Sequence, residues 1–143
     1  MKQSQRWMWI LLFGFICFES LIAQSSDSIV VKTIYFHTSY RCATCQKLEN
    51  YATEAIHQHF EKELISKHLI FESINIEEKT HEHFIDDYAL VTKSIILSKL
   101  KDGNEITWKN LDKIWLLVRN EQKYKQYIID EIRAMMETKD TDS

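Results

Sequence analysis

Proline is absent from these 143 residues and glycine occurs only twice. A chain so poor in turn-formers excludes a strand-rich sandwich with many tight turns and favours helices joined to a small sheet. There is no basic block, and the net charge is −3, so no nucleic-acid partner is expected. No apolar run reaches the roughly 20 residues that span a bilayer. Cysteine is scarce as well, with three in all, so a disulfide-stapled scaffold is excluded. What is present is ordinary for one globular domain: 45% hydrophobic, 12% aromatic and 27% charged residues.

The N-terminus has the three-part layout of a secretory signal. Lys2 and Arg6 give a positive start, Trp7 to Phe18 is an apolar run of 12 residues, and Ser20 to Ala23 offers a cleavage site. Residues 1–23 are therefore expected to be a signal peptide, with an uncleaved membrane anchor as the alternative. Only that segment would then touch a membrane. Cleavage removes Cys17 and leaves 16 basic against 20 acidic side chains, a net of −4. Residues 24–28 read as a flexible lead, 29–136 as one folded domain and 137–143 as a polar tail. An exported, periplasmic location follows as an expectation.

Along the domain, Ile29 to His37 is a nearly continuous run of β-formers, as in a strand buried on both faces. From Cys42 the period turns helical, with Cys45, Leu48, Ala52, Ala55, Ile56 and Phe60 on one side. One helix is predicted from about Ala43 to about Leu64, with Glu49 among its outward residues. Leu69 to Ile76 reads as a second strand, His81 to Tyr88 as a short helix and Ser94 to Leu100 as a third strand. Asp102-Gly103-Asn104 is a hairpin turn leading to a short strand at Glu105 to Trp108. Two helices follow, Asn110 to Val118 and Gln122 to Met136. The crossover helix implies parallel strands in the first half, and the hairpin an antiparallel pair in the second. The fold class expected is α/β, a mixed four-stranded sheet flanked by helices, with an extra C-terminal helix.

The chemistry falls on Cys42 and Cys45, at the junction of strand and helix. A free thiol titrates near pH 8.5 and is mostly protonated at neutral pH. A helix N-terminus offers unpaired N–H groups and the positive end of the macrodipole, both favouring thiolate. Arg41 adds a neighbouring positive charge. Cys42 is expected to attack, and Cys45, one turn further in, to resolve the mixed disulfide. So small a ring removes little unfolded-chain entropy, which makes the pair's value chemical. His37, ending the strand, is read as a packed or thiol-tuning residue. The spacing of His81-Glu82-His83 points the two imidazoles to different helix faces, which argues against a metal site there. His57 and His59 share that spacing. Trp108 and Trp115 read as core or partner-surface residues.

These residues resemble a known group. Tyr35-Phe36-His37, Arg41-Cys42-Ala43-Thr44-Cys45 and Glu49, with Asn110-Leu111, Ile114-Trp115 and the helix from Tyr127 to Ile132, are similar to the thioredoxin-like proteins known as nitrophenyl compound nitroreductase subunits of the ArsF type. The resemblance spans roughly residues 29 to 136. It implies an exported bacterial redox protein that exchanges electrons with protein dithiols or disulfides, beside a membrane thiol-electron carrier, in a reductive detoxification system. No cofactor is implied. Thioredoxins place a cis-proline opposite the dithiol, and here Ser94 falls at that position, after Lys93. A cis bond without proline costs about 2.5–4 kcal/mol, so the Lys93-Ser94 bond is expected to be trans. Arg41, His37, Lys93 and Ser94 are the expected tuning or partner-facing residues. Two alternatives stay open: a module that binds a soft metal ion or arsenic(III) through Cys42 and Cys45, and an interaction domain whose cysteine pair is idle.

Overall fold

The computed structural model describes residues 28–138. The expected signal, nearly all of the lead and residues 139–143 lie outside them. Strand β1 (Ile29–His37) is followed by helices α1 (Ala43–His59) and α2 (Glu61–Ile65), strand β2 (Leu69–Asn75), helix α3 (Phe84–Asp87), strands β3 (Ser94–Lys101) and β4 (Asn104–Asn110), and helices α4 (Ile114–Leu117) and α5 (Glu121–Glu137). The sheet order is β2-β1-β3-β4. β1 and β2 are parallel, with Val31 opposite Leu69 and His37 opposite Asn75. β1 and β3 run antiparallel, with Phe36 opposite Ser94. β3 and β4 are antiparallel as well, with Ser98 opposite Trp108. This is the mixed four-stranded sheet with flanking helices expected from the element order.

Alternation along β1 and β3 divides the core in two, because successive side chains point to opposite faces. Val31, Tyr35, Ile95 and Leu97 join Leu48, Ala52, Ala55 and Ile56 of α1 and Tyr124, Ile128, Ile129 and Ile132 of α5. Ile34, Phe36 and Ile96 pack on the other face with Tyr88 and Leu90. The central strand is thus buried on both sides, as its unbroken apolar run required. The buried Tyr124 hydroxyl donates to the Leu48 carbonyl at 2.7 Å and joins α5 to α1. Lys99, buried in β3, donates through Nζ to the Thr138 carbonyl at the C-terminus of α5. That is the end of a helix where a cation is favoured.

Several expected boundaries move. The helix predicted to run through Leu64 breaks at Phe60 (φ −131°, ψ 29°), whose side chain turns into the larger core cluster. The helix expected at His81 to Tyr88 shrinks to α3, because His81 is drawn off by a 3.1 Å hydrogen bond to the Asn75 carbonyl. β4 runs on to Asn110, and Leu111 still donates its N–H to the Ile95 carbonyl, so α4 starts later than expected. As the edge strand, β4 has almost no buried residue, and hydrophobic pattern could not mark its ends. Glu137, expected in the tail, is the last residue of α5, whose start is capped by the Asn120 side chain accepting from the Lys123 N–H at 3.0 Å. The hairpin turn is where it was expected, with Asp102 and Gly103 both at positive φ, 52° and 83°. Among the described residues no helix is long and apolar enough to cross a membrane.

Candidate functional site: the Cys42–Cys45 pair

β1 ends at His37, and a five-residue loop carries the chain to the start of α1. Cys42 is the N-cap of that helix, with extended backbone (φ −71°, ψ 161°). Its sulfur accepts the Cys45 N–H at 3.1 Å, the bond an N-cap side-chain oxygen ordinarily makes. Cys42 and Cys45 form a disulfide, with Cα atoms 5.0 Å apart. Cys42 is half-buried, while Cys45 is 2% exposed. A half-exposed sulfur held by a helix-terminal amide, next to a covered one, is the asymmetry expected of an attacking and a resolving thiol.

The loop before the pair is tied down from two sides. The Ser39 N–H donates to Glu77 at 2.9 Å, and Asn75 donates to the Ser39 hydroxyl at 3.1 Å. Hydrogen bonds from Ser39 hold the Glu77 carboxyl below the usual carboxylate range, with Lys93 adding electrostatic support. On the helix side, the Tyr35 hydroxyl donates to the Cys45 carbonyl at 2.9 Å. Burial pushes the Tyr35 phenol up to about 12, against the opposing pull of Arg41.

Arg41 does not stand as a bare cation beside Cys42. Its guanidinium is ion-paired with Glu49 and donates to His37 Nε2 at 3.1 Å. It also lies 6.0 Å from the centre of the Tyr35 ring. Glu49, expected to face outward, is in fact 20% exposed and accepts a further bond from the Ser73 hydroxyl at 2.6 Å. The outward expectation failed because helical spacing sets a direction but does not reveal that β2 and Arg41 wait there. His37 lies at 3.0 Å from the Thr38 carbonyl through Nδ1, so Nδ1 carries the proton and Nε2 accepts from Arg41.

Ser94 opens β3 opposite Phe36, at the end of the sheet where β1 leaves for the dithiol loop. Its hydroxyl donates to the Thr92 carbonyl at 2.9 Å. The Lys93-Ser94 bond is trans, as expected. Lys93 is held between two aromatic residues: its carbonyl accepts from the Trp115 indole at 3.0 Å, and its ammonium lies 6.0 Å from the Tyr40 ring centre. Trp115 and Trp108 are both surface residues, 38% and 41% exposed. The structure thus gathers His37, Arg41, Cys42, Cys45, Lys93 and Ser94 at one end of the sheet. It adds Tyr35, Glu49, Glu77 and Trp115, which the sequence reading did not place in the site. Of these, Tyr35, Glu49 and Trp115 stood among the residues that carry the resemblance, whereas Glu77 carried no signal. His81 and His83 go to separate partners, the Asn75 carbonyl and Asp87. Among the described residues no group of three or more His, Cys, Asp or Glu side chains is placed to hold a metal ion.

No protein-family model matches the chain, and no curated protein sequence does. Solved structures of thioredoxins do. That of Fasciola hepatica is 18% identical, covering 71% of this chain and 80% of that one, with a TM-score of 0.40. The thioredoxin of Trypanosoma brucei brucei is 14% identical over 76% and 79%, with a TM-score of 0.43. A poplar thioredoxin h is 15% identical over 77% and 79%, with a TM-score of 0.44. The fold is thioredoxin-like. That assignment stands on the strand order, the parallel and antiparallel pairings, and a cysteine pair at the junction of β1 and α1.

Proposed function

We propose that this chain is an exported thiol–disulfide oxidoreductase, acting as an electron relay through Cys42 and Cys45. The observation that carries the reading is the capping bond: the Cys45 amide is already aimed at the Cys42 sulfur. When the pair is reduced, that donor and the helix terminus favour the thiolate, the form that attacks. The Cys42 thiolate attacks one sulfur of a partner disulfide, and the partner's leaving thiolate takes up a proton. Cys45 loses its proton to water and attacks the Cys42 sulfur of the mixed disulfide. The Cys42–Cys45 bond closes and the second partner thiolate departs and is protonated. Two electrons pass from this pair to the partner disulfide; the partner's two thiolates take their protons from water, which receives the one that Cys45 gives up.

The finer reading rests on the sequence. The positive start, the apolar run and the Ser20 to Ala23 stretch support export to the periplasm, and fusion of residues 1–28 to a reporter active only outside the cytoplasm tests it. Retention of an inactive reporter in the cytosol would refute export. The resemblance to ArsF-type proteins supports a membrane thiol-electron carrier as donor and a detoxifying reductive system as recipient.

The reading is tested by trapping. Without Cys45 the mixed disulfide formed by Cys42 cannot be resolved. A Cys45→Ser variant is expected to yield protein adducts on non-reducing gels that vanish with reductant and are absent when Cys42 is also replaced. A clean monomer band, under conditions that trap other relay proteins, would refute the reading.

A further inference from the structure

The Arg41–Glu49 pair joins the residue immediately before the attacking cysteine to the residue one turn beyond the resolving one. Each belongs to the site by a second contact. Arg41 lies over Tyr35, whose hydroxyl holds the Cys45 carbonyl, and donates to His37 at the end of β1. Glu49 is at i+4 from Cys45, on an adjoining face of α1, and is fixed to β2 by Ser73. Side chains of a helix lean toward its N-terminus, which carries the Glu49 carboxylate toward the dithiol end. Both side chains are largely covered, 30% and 20% exposed, so solvent screens their charges less than it would on an open surface.

We propose that Glu49 is a positioning residue that sets the redox poise of the Cys42–Cys45 pair by neutralising Arg41. A lone guanidinium beside Cys42 would stabilise the thiolate, favour the reduced form and make the disulfide a stronger oxidant. Glu49 cancels that field and holds the guanidinium in one geometry, with His37 Nε2 as the second acceptor. The pair therefore keeps the disulfide less oxidising than Arg41 alone would make it, which suits a relay that gives electrons up. The inference rests on the oxidoreductase reading given above.

The test is the thiol–disulfide equilibrium of the purified protein against glutathione redox buffers. Glu49→Gln is expected to shift the equilibrium toward the dithiol by about three- to tenfold, up to about 30 mV for a two-electron couple. Arg41→Gln, which leaves the carboxylate alone, is expected to shift it toward the disulfide. The double variant is expected to return near the wild type. Glu49→Asp retains the charge, and is expected to move the equilibrium less than Glu49→Gln.

Shifts of the same sign in both single variants, unmoved equilibria, or an Asp variant as displaced as the Gln variant would overturn the inference. Loss of folding in Glu49→Gln leaves the Arg41→Gln and Glu49→Asp arms to decide, since a charge effect requires the first to shift toward disulfide and the second to stay close to wild type. A wild-type pair that never exchanges with glutathione refutes the oxidoreductase reading itself, whereas one that exchanges with unmoved variants refutes only the role of Glu49.

Discussion

The Tyr35 hydroxyl donates to the Cys45 carbonyl oxygen at 2.9 Å, a bond from the central strand to the first turn of the helix that carries the dithiol. Tyr35 is wholly buried, and its ring also stacks on His37, with centroids 5.9 Å apart. One phenol therefore fixes α1 against β1 at the point where the two cysteines sit. Replacing it by phenylalanine keeps the packing and removes only the bond. Tyr35→Phe is expected to lower stability by about 1 kcal/mol, the usual net worth of such a bond. Urea unfolding of the oxidised protein measures it. No loss would mean that the hydroxyl does not hold the helix.

The same burial makes the protein sensitive to alkali. The phenols of Tyr35, Tyr88 and Tyr127 are each pushed up to about 12, in each case chiefly by desolvation, and Tyr124 is raised as well. In the unfolded chain a tyrosine ionises near 10. Below that value the protons are held equally in both states and cost nothing. Between about pH 10 and 12 the unfolded chain gains by ionising while the folded one does not, so stability falls as pH rises. Denaturant midpoints across that window should drop steeply, and Tyr35→Phe should soften the slope. A flat profile would show that these phenols ionise in the folded protein.

Much of this arrangement is written in residue pattern. The apolar run of β1, the switch to helical spacing at Cys42 and the Asp102-Gly103 turn each state a local preference that packing then agrees with. Phe60 states none: no proline or glycine marks the break, and the chain leaves the helix there with the ring buried in the larger core cluster. Glu49 and Arg41 are the counterpart in the site. Their pairing joins residues eight apart, across the N-cap and nearly two turns of α1, and is completed by Ser73 of another strand, a contact that no local period encodes. The trans bond at Lys93-Ser94 was predictable because its cause, the lack of proline, is local.

Ala89 closes α3 in a left-handed conformation, φ 48°, a place that glycine usually takes. The surrounding bonds form the double cap that goes with it: Leu90 N–H to the Ile85 carbonyl at 2.9 Å and Ala89 N–H to the Asp86 carbonyl at 3.3 Å. Leu90 is thereby turned into the smaller core cluster, and the chain runs on through Lys93 to Ser94 at the start of β3. A left-handed alanine costs on the order of 1 kcal/mol relative to its ordinary conformations, partly offset by the wider freedom of glycine when unfolded. Ala89→Gly is therefore expected to raise stability by up to about 0.5 kcal/mol with thiol exchange unchanged. Thermal melting and a glutathione equilibrium check both halves. Destabilisation would mean that the alanine methyl makes a contact worth more than the strain.

The two cysteines should differ most sharply as single thiols. In a Cys45→Ser variant, Cys42 remains half-buried at the N-cap, where the amide of residue 45 is directed at its sulfur. That donor and the helix terminus stabilise the anion, so the rate of alkylation by iodoacetamide should rise through an inflection below the ordinary thiol value of about 8.5. In Cys42→Ser, Cys45 is covered, at 2% exposure, and lies against the apolar side of α1. Burial there disfavours the thiolate and blocks the reagent. Cys42 should react at least about tenfold faster at neutral pH, and its inflection should lie at the lower pH. Both variants must melt cooperatively before their rates are compared. Faster alkylation of Cys45, with the lower inflection, would exchange the two roles and make the covered sulfur the attacker.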